Sequence, residues 1–118
     1  MIRNIKCDPI VTMDLFRESI TWYLGGADPT DPEVSPAFAD HSGLPPLLIQ
    51  AGTNEMLLAD STRLAESARS AGVEVHLDVQ AGMWHVYPVA AGFMPEATKA
   101  IRRAVDFITK KTGSNGVV

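Results

Sequence analysis

The 118-residue sequence predicts an α/β fold built on two parallel strands, each followed by a helix. Three observations carry that expectation. The apolar run Leu47-Leu48-Ile49, introduced by Pro45-Pro46, reads as a strand buried on both faces, as in a parallel sheet. Residues 60–71 place Leu64, Ala65, Ala68 and Ala71 at helical spacing. Val73, Val75, Leu77 and Val79 then alternate with Glu74, His76 and Asp78, which is the period of a strand with one buried face. A helix of this length allows the right-handed crossover that parallel strands require.

The elements follow in order. Residues 1–43 form a helix-and-loop lead-in. Asp14 to Leu24 is a short helix with Leu15, Ile20 and Leu24 on its apolar face, Asp14 suited to cap it and Gly25-Gly26 to stop it. Residues 27–43, rich in Pro, Asp and Ser, compose a long loop. Residues 44–112 form the βαβα unit. Its first strand covers 44–51 and ends at Gly52. Asp60 or Ser61 caps the next helix, and Gly72 sits where a left-handed C′ residue belongs. Pro95 opens the last helix at its first turn. Ala97, Ile101, Ala104, Val105 and Ile108 form its stripe, and Gly113 closes it. Residues 113–118 are a fraying tail. There is no repeat or second domain, so residues 1–118 are expected to be a single unit.

Composition narrows the function classes. Apolar residues make up 46% and charged residues 20%, with a net charge of −4, the balance of a globular chain. An acidic chain whose densest basic stretch (Lys99, Arg102, Arg103, Lys110, Lys111) falls on a predicted helix gives no electrostatic footing for nucleic acid. Cys7 is the one cysteine. It excludes an internal disulfide, fits a reduced cytoplasmic setting, and has no neighbouring histidine that would make it a nucleophile. No run approaches a membrane span, and residues 1–9 lack the apolar core of a signal peptide. His41, His76, His85 and Cys7 show no metal-ligand spacing. No glycine-rich phosphate loop calls for a nucleotide cofactor.

In open parallel sheets ligands gather beyond the carboxyl ends of the strands. Two loops lie there. Gly52 to Leu58 supplies Glu55, with Asp60 close behind, and Ala81 to Tyr87 supplies His85. A carboxylate that accepts from one ring nitrogen fixes the histidine tautomer and stabilises the imidazolium formed when the other nitrogen takes a proton. Asp60 is the second candidate for the acid, with helix capping as its simpler role. His41 and His76 are expected to be solvated. Trp84, Val86, Tyr87, Phe93 and Met94 surround His85 in sequence. They suit the wall of an acyl or alcohol pocket, with Trp84, Val86 and Tyr87 as substrate-binding candidates, and equally the packing of the last helix.

From about Asp8 to Ile108 the chain resembles the C-terminal portion of the hormone-sensitive-lipase family of α/β-hydrolases. The stretches SPAFAD, GLPPLLIQAG, EMLLADS, AGVEVHL and GMWHVY carry the resemblance. The spacing from Pro46 to Glu55, and the 30 positions from Glu55 to His85, fit the family's pattern. The resemblance implies a βαβα C-terminal portion of an α/β-hydrolase parallel sheet. It implies a carboxylesterase or lipase-like serine–histidine–acid hydrolase acting on small esters, with Glu55 standing where the family usually has Asp and His85 as the base. It also implies a homodimer through the edge of strand 73–79, whose exposed Glu74 and Asp78 would guard against indiscriminate pairing.

The nucleophile is not in this sequence. None of Ser19, Ser35, Ser42, Ser61, Ser67, Ser70 and Ser114 lies in a G-x-S-x-G elbow, and no HGG-type oxyanion loop occurs. The expectation is therefore a chain that supplies acid and histidine to a larger enzyme. It needs the missing N-terminal portion of the fold as its partner and associates or aggregates when alone. The rival expectation is a catalytically inactive relic or interaction module.

Overall fold

The computed structural model describes residues 8–113. Cys7 and the tail beyond Gly113 lie outside them. The chain divides after His85 into two compact units.

The first unit opens with helix α1, Met13–Leu24. Thr12 caps it, not Asp14: the Thr12 hydroxyl accepts the Leu15 N–H at 3.3 Å, and Asp14 lies in the first turn. Gly25 ends the helix in the left-handed conformation that glycine adopts at least cost. None of its residues is buried, and Trp22 and Tyr23 are both largely exposed. Within the following loop, Pro36–Phe38 forms a single 3-10 turn.

Strands β1 (Leu47–Gly52) and β2 (Val75–Gln80) pair in parallel, with Leu47 opposite Val75 and Gly52 opposite Gln80. They form a two-stranded sheet. Helix α2, Leu58–Ser70, connects them and packs on both through the buried Ala65 and Ala68. It starts two residues earlier than expected, with Leu57 at the N-cap and no side-chain cap bond. Asp60 is thus not the cap. It lies in the first turn, where its negative charge still meets the positive end of the helix dipole. Gly72 follows the C-cap Ala71 at φ +82°, in its expected role.

Both strands depart from the expected burial. Leu47, Leu48 and Ile49 are half-buried and not covered on both faces. Val79 is exposed, while Asp78, expected on the solvent side, is half-buried and accepts a hydrogen bond from Gln50 Nε2 at 3.0 Å. The cause is the extent of the sheet. A two-stranded ladder with one helix on it leaves apolar side chains that a wider sheet would cover, and period-2 patterning cannot report how many neighbours a strand has. Glu74 remains exposed as expected, and it pairs with His76 Nε2 at 2.8 Å.

The core of this unit is small. Ala51, Met56, Ala65, Ala68 and Val73 are buried in it, and so are three polar side chains, Asp8, His41 and Glu55. Burying Met56 alone contributes about 2 kcal/mol. A buried ionisable group persists only where partners satisfy it, so these three mark where the fold is specified by polar bonds.

The second unit holds a 3-10 turn, Tyr87–Ala90, packed on helix α3, Pro95–Thr112. Pro95 occupies the first helical position and Gly113 ends α3 in the left-handed conformation, both as expected. The expected stripe is only partly buried. Ala97 and Ala100 are buried, while Ile101, Val105 and Ile108 are exposed. A narrow alanine seam suffices to seat a four-residue turn, and nothing else among the described residues of this unit covers the larger side chains. No helix among the described residues is long and apolar enough to cross a membrane.

Candidate functional site

The carboxyl ends of β1 and β2 project two loops that are stitched together by polar bonds. Thr53 N–H donates to the Gln80 carbonyl at 3.0 Å, and the Thr53 hydroxyl accepts the Gly82 N–H at 2.8 Å. Asn54 N–H donates to the Met83 carbonyl at 2.9 Å. The approach is so close that a Cβ on Gly52 would overlap the Met83 carbonyl. Glycine at the end of β1 is therefore demanded by contact with the facing loop, and its backbone dihedral is not the reason.

This stitching brings Glu55 and His85 together. Glu55 is 5% exposed, and its Oε2 accepts the Gly52 N–H at 3.0 Å. Its Oε1 faces His85 Nδ1 at 3.9 Å. That separation is beyond a hydrogen bond and within ion-pair reach. His85 keeps 29% of its side chain open to solvent. One face of the imidazole thus meets a buried, oriented carboxylate while the ring stays accessible.

A third ionisable group, absent from the sequence expectations, adjoins the pair. Asp8 is buried, and its Oδ1 accepts the N–H groups of Ile10 (2.9 Å) and Val11 (3.0 Å). Its Oδ2 accepts the N–H of Met56, the residue after Glu55, at 3.1 Å. Burial pushes the Asp8 carboxyl up. The bonds from Val11, Ile10 and Met56 and the charge of His85 outweigh it and hold the carboxyl below the usual range. The only hint in the sequence is the Asp8-Pro9 pair, which marks a turn but no partner.

The remaining candidates are placed as follows. Trp84 is half-buried. Val86 is exposed and takes a left-handed φ of 53°. Tyr87 is fully buried at the start of its 3-10 turn. Asp60 lies on the wall of a groove of about 600 Å³ shared with Ile20, Tyr23, Leu24 and Arg63. The carboxylate against His85 is that of Glu55. His76 is exposed, as expected.

His41 is buried, contrary to the expectation that it is solvated. Its Nε2 lies 2.8 Å from the Pro36 carbonyl and its Nδ1 3.0 Å from the Ser67 hydroxyl. A carbonyl only accepts, so the neutral ring carries its proton on Nε2 and Nδ1 accepts from Ser67. Residue type gave no sign of this, because the partners come from a loop and from α2. The contact is a serine–histidine pair in form. It joins loop to helix inside the core, where the imidazole has no access to a ligand. Among the described residues, no cluster of three or more His, Cys, Asp or Glu side chains is arranged to hold a metal ion.

A sequence profile described as α/β hydrolase fold matches residues 2–89. An esterase from Acinetobacter venetianus is 39% identical over 107 residues, covering 90% of this chain and 35% of its own length. An acetyl-hydrolase from Streptomyces hygroscopicus is 41% identical, covering 86% and 34%. The crystal structure of a hormone-sensitive lipase from a metagenome library superposes with a TM-score of 0.90 at 37% identity, covering 93% of this chain and 38% of that one. The chain thus spans about a third of the length of the relatives it matches. A partial parallel sheet, a profile match over most of the residues and this structural agreement lead to one conclusion: the chain belongs to the α/β-hydrolase fold family, in its hormone-sensitive-lipase branch.

Proposed function

We propose that this chain supplies the acid and the general base of a carboxylic ester hydrolase. The observation that carries the reading is the placement of Glu55: buried, with one oxygen held by the Gly52 amide and the other turned to His85 Nδ1. A carboxylate held this way keeps the proton of neutral His85 on Nδ1 and leaves Nε2 free to take the proton of a serine hydroxyl as that oxygen attacks the ester carbonyl. The imidazolium then returns the proton to the leaving alcohol, and a water repeats the sequence on the acyl-enzyme. Acid–base pairs commonly stand loose without substrate and tighten in the complex. A 3.9 Å gap fits that behaviour.

The serine and the oxyanion donors come from the rest of the hydrolase fold, which is the partner this chain requires. The exposed apolar residues of α1, Val79 of β2, and Ile101, Val105 and Ile108 of α3 support that requirement. They are surface that an isolated soluble domain rarely leaves open. The substrate class is a small carboxylic ester, in keeping with relatives named esterase and acetyl-hydrolase.

The test joins this chain to the remaining part of the Acinetobacter venetianus esterase in place of the segment it matches. The chimera is expected to hydrolyse p-nitrophenyl acetate or butyrate. His85→Ala should lower kcat/KM by about 10⁴-fold or more, and Glu55→Gln by about 10³- to 10⁴-fold. An active chimera indifferent to His85→Ala would end the proposal.

A further inference from the structure

The pair Glu55–His85 leaves one buried carboxylate unused. Asp8 lies 48 positions before Met56 in the chain, yet its Oδ2 holds the Met56 N–H, while Oδ1 holds the two N–H groups of its own turn. One carboxylate therefore ties the segment before α1 to the loop that carries Glu55. A turn aspartate that served its own loop alone would need only Oδ1. Asp28 and Asp40 behave in that way, each bonding two residues ahead from an exposed turn.

We propose that Asp8 is a positioning residue for the acid–histidine pair: its carboxylate ties the turn before α1 to the backbone immediately after Glu55. This role rests on the reading of Glu55 and His85 as acid and base. The Met56 bond restrains the rotation of the Glu55–Met56 peptide, and so the aim of Glu55 Oε1 toward Nδ1. Burial disfavours the ionised form of Asp8, yet three amide donors and the His85 charge keep it ionised. The negative charge is accordingly present whenever His85 becomes an imidazolium. Glu55 faces that imidazolium at Nδ1 and Asp8 adds to the same field. Together they favour the charged state the ring passes through in proton transfer.

The experiment is carbon-detected NMR titration of the esterase chimera, with this chain's segment isotopically labelled, following the Asp8 carboxyl carbon, the Met56 amide proton and the His85 ring protons. In the unsubstituted chimera the Met56 amide is expected to shift through the same midpoint as Asp8. The Asp8 carbon is expected to show a second, smaller inflection at the pH where the His85 ring titrates. His85→Ala should remove that inflection and raise the Asp8 midpoint. A turn residue of purely structural value would show neither effect. A Met56 amide that ignores Asp8 ionisation, or an Asp8 carbon with no inflection at the His85 midpoint in the unsubstituted chimera, overturns the proposal. The second reading holds even if His85→Ala fails to fold. The two failures are distinguishable. Loss of ester hydrolysis in the His85→Ala chimera, with Asp8 uncoupled from His85, sinks only the role of Asp8. Coupling without that loss sinks the esterase reading and the role of Asp8 that rests on it.

Discussion

The Gly52 amide donates to Glu55 Oε2 at 3.0 Å, three residues ahead, so the last residue of β1 holds the Glu55 carboxylate while its missing side chain lets the Met83 carbonyl of the other loop approach. Two requirements meet at one position. The donor is supplied by any residue except proline; the space is supplied by glycine alone. Gly52→Ala must push the Met83 segment away and with it the 2.9 Å bond from Asn54 N–H. Overpacking of this kind costs about 1–3 kcal/mol, a fall in Tm of about 10 °C for a unit of this size. Thermal unfolding followed by circular dichroism checks the cost. Faster hydrogen exchange at the Asn54 amide checks its location. An alanine variant with unchanged Tm and exchange would show that the two loops are not in contact there.

Asp8 makes the chain's acid stability partly a local property. Its carboxyl titrates lower in the folded chain than in the unfolded one, where the ordinary value is about 3.9. The unfolded state then binds the proton first as pH falls. The contribution is therefore fully present above about pH 5 and is lost through the ordinary value and down to the folded one. Asp28 and Asp40, lowered by their bonds to Thr30 and Ser42, act with the same sign from exposed turns. Tm plotted against pH between about 5 and 2 should fall less steeply in Asp8→Asn than in the unsubstituted chain. At pH 7 the variant should be the less stable of the two, since an amide cannot accept all three N–H groups. Parallel curves would mean that Asp8 is not held in its ionised form.

What was legible in the sequence was set by the range over which its signals act. Strand, crossover helix and strand were visible because periodicity is local, and the parallel pairing followed from the length of the crossover. Glu55 and His85 were visible because each sits in a loop just beyond a strand, so the topology that joins the strands also joins the residues. Asp8 was not, because its bonds go to backbone amides, one of them 48 positions away, and every residue but proline carries that donor. The burial of His41 is hidden from the sequence for the same reason: its neighbours Asp40 and Ser42 look solvated, while its partners are Pro36 and Ser67. The stripe Ile101, Val105 and Ile108 shows the converse. The pattern names a face correctly but not what covers it, and nothing among the described residues of its own unit does.

The His41 contact predicts a stability effect with no catalytic counterpart. His41→Ala removes two hydrogen bonds and leaves the Pro36 carbonyl and the Ser67 hydroxyl short of a partner. Each of the two hydrogen bonds contributes about 0.5–1.5 kcal/mol. The variant should therefore lose about 2 kcal/mol, or about 10 °C in Tm. Ser67→Ala deletes one of the two bonds and should cost about half as much. In the esterase chimera both variants should keep kcat/KM within about twofold at temperatures below their Tm. A loss of activity as large as that of His85→Ala would place the His41–Ser67 pair in the chemistry.

Val86 is the one non-glycine among the described residues with a positive φ, at 53°. A β-branched side chain is ill suited to that conformation, because both γ-methyls crowd the backbone. Strain of this kind costs of order 1–3 kcal/mol. It falls immediately after His85, where the chain begins the 3-10 turn Tyr87–Ala90. Val86 is half exposed, so its side chain contributes little burial in return. Val86→Gly should relieve the strain. The greater freedom of glycine in the unfolded chain takes back about 0.5–1 kcal/mol, so Tm should stay level or rise by a few degrees. Val89→Gly is the control. Val89 is also exposed but has no positive φ, and glycine there should lower Tm by a few degrees. If the two substitutions destabilise equally, the left-handed turn at Val86 carries no strain, and the valine is held there by a contact the exposed side chain does not show.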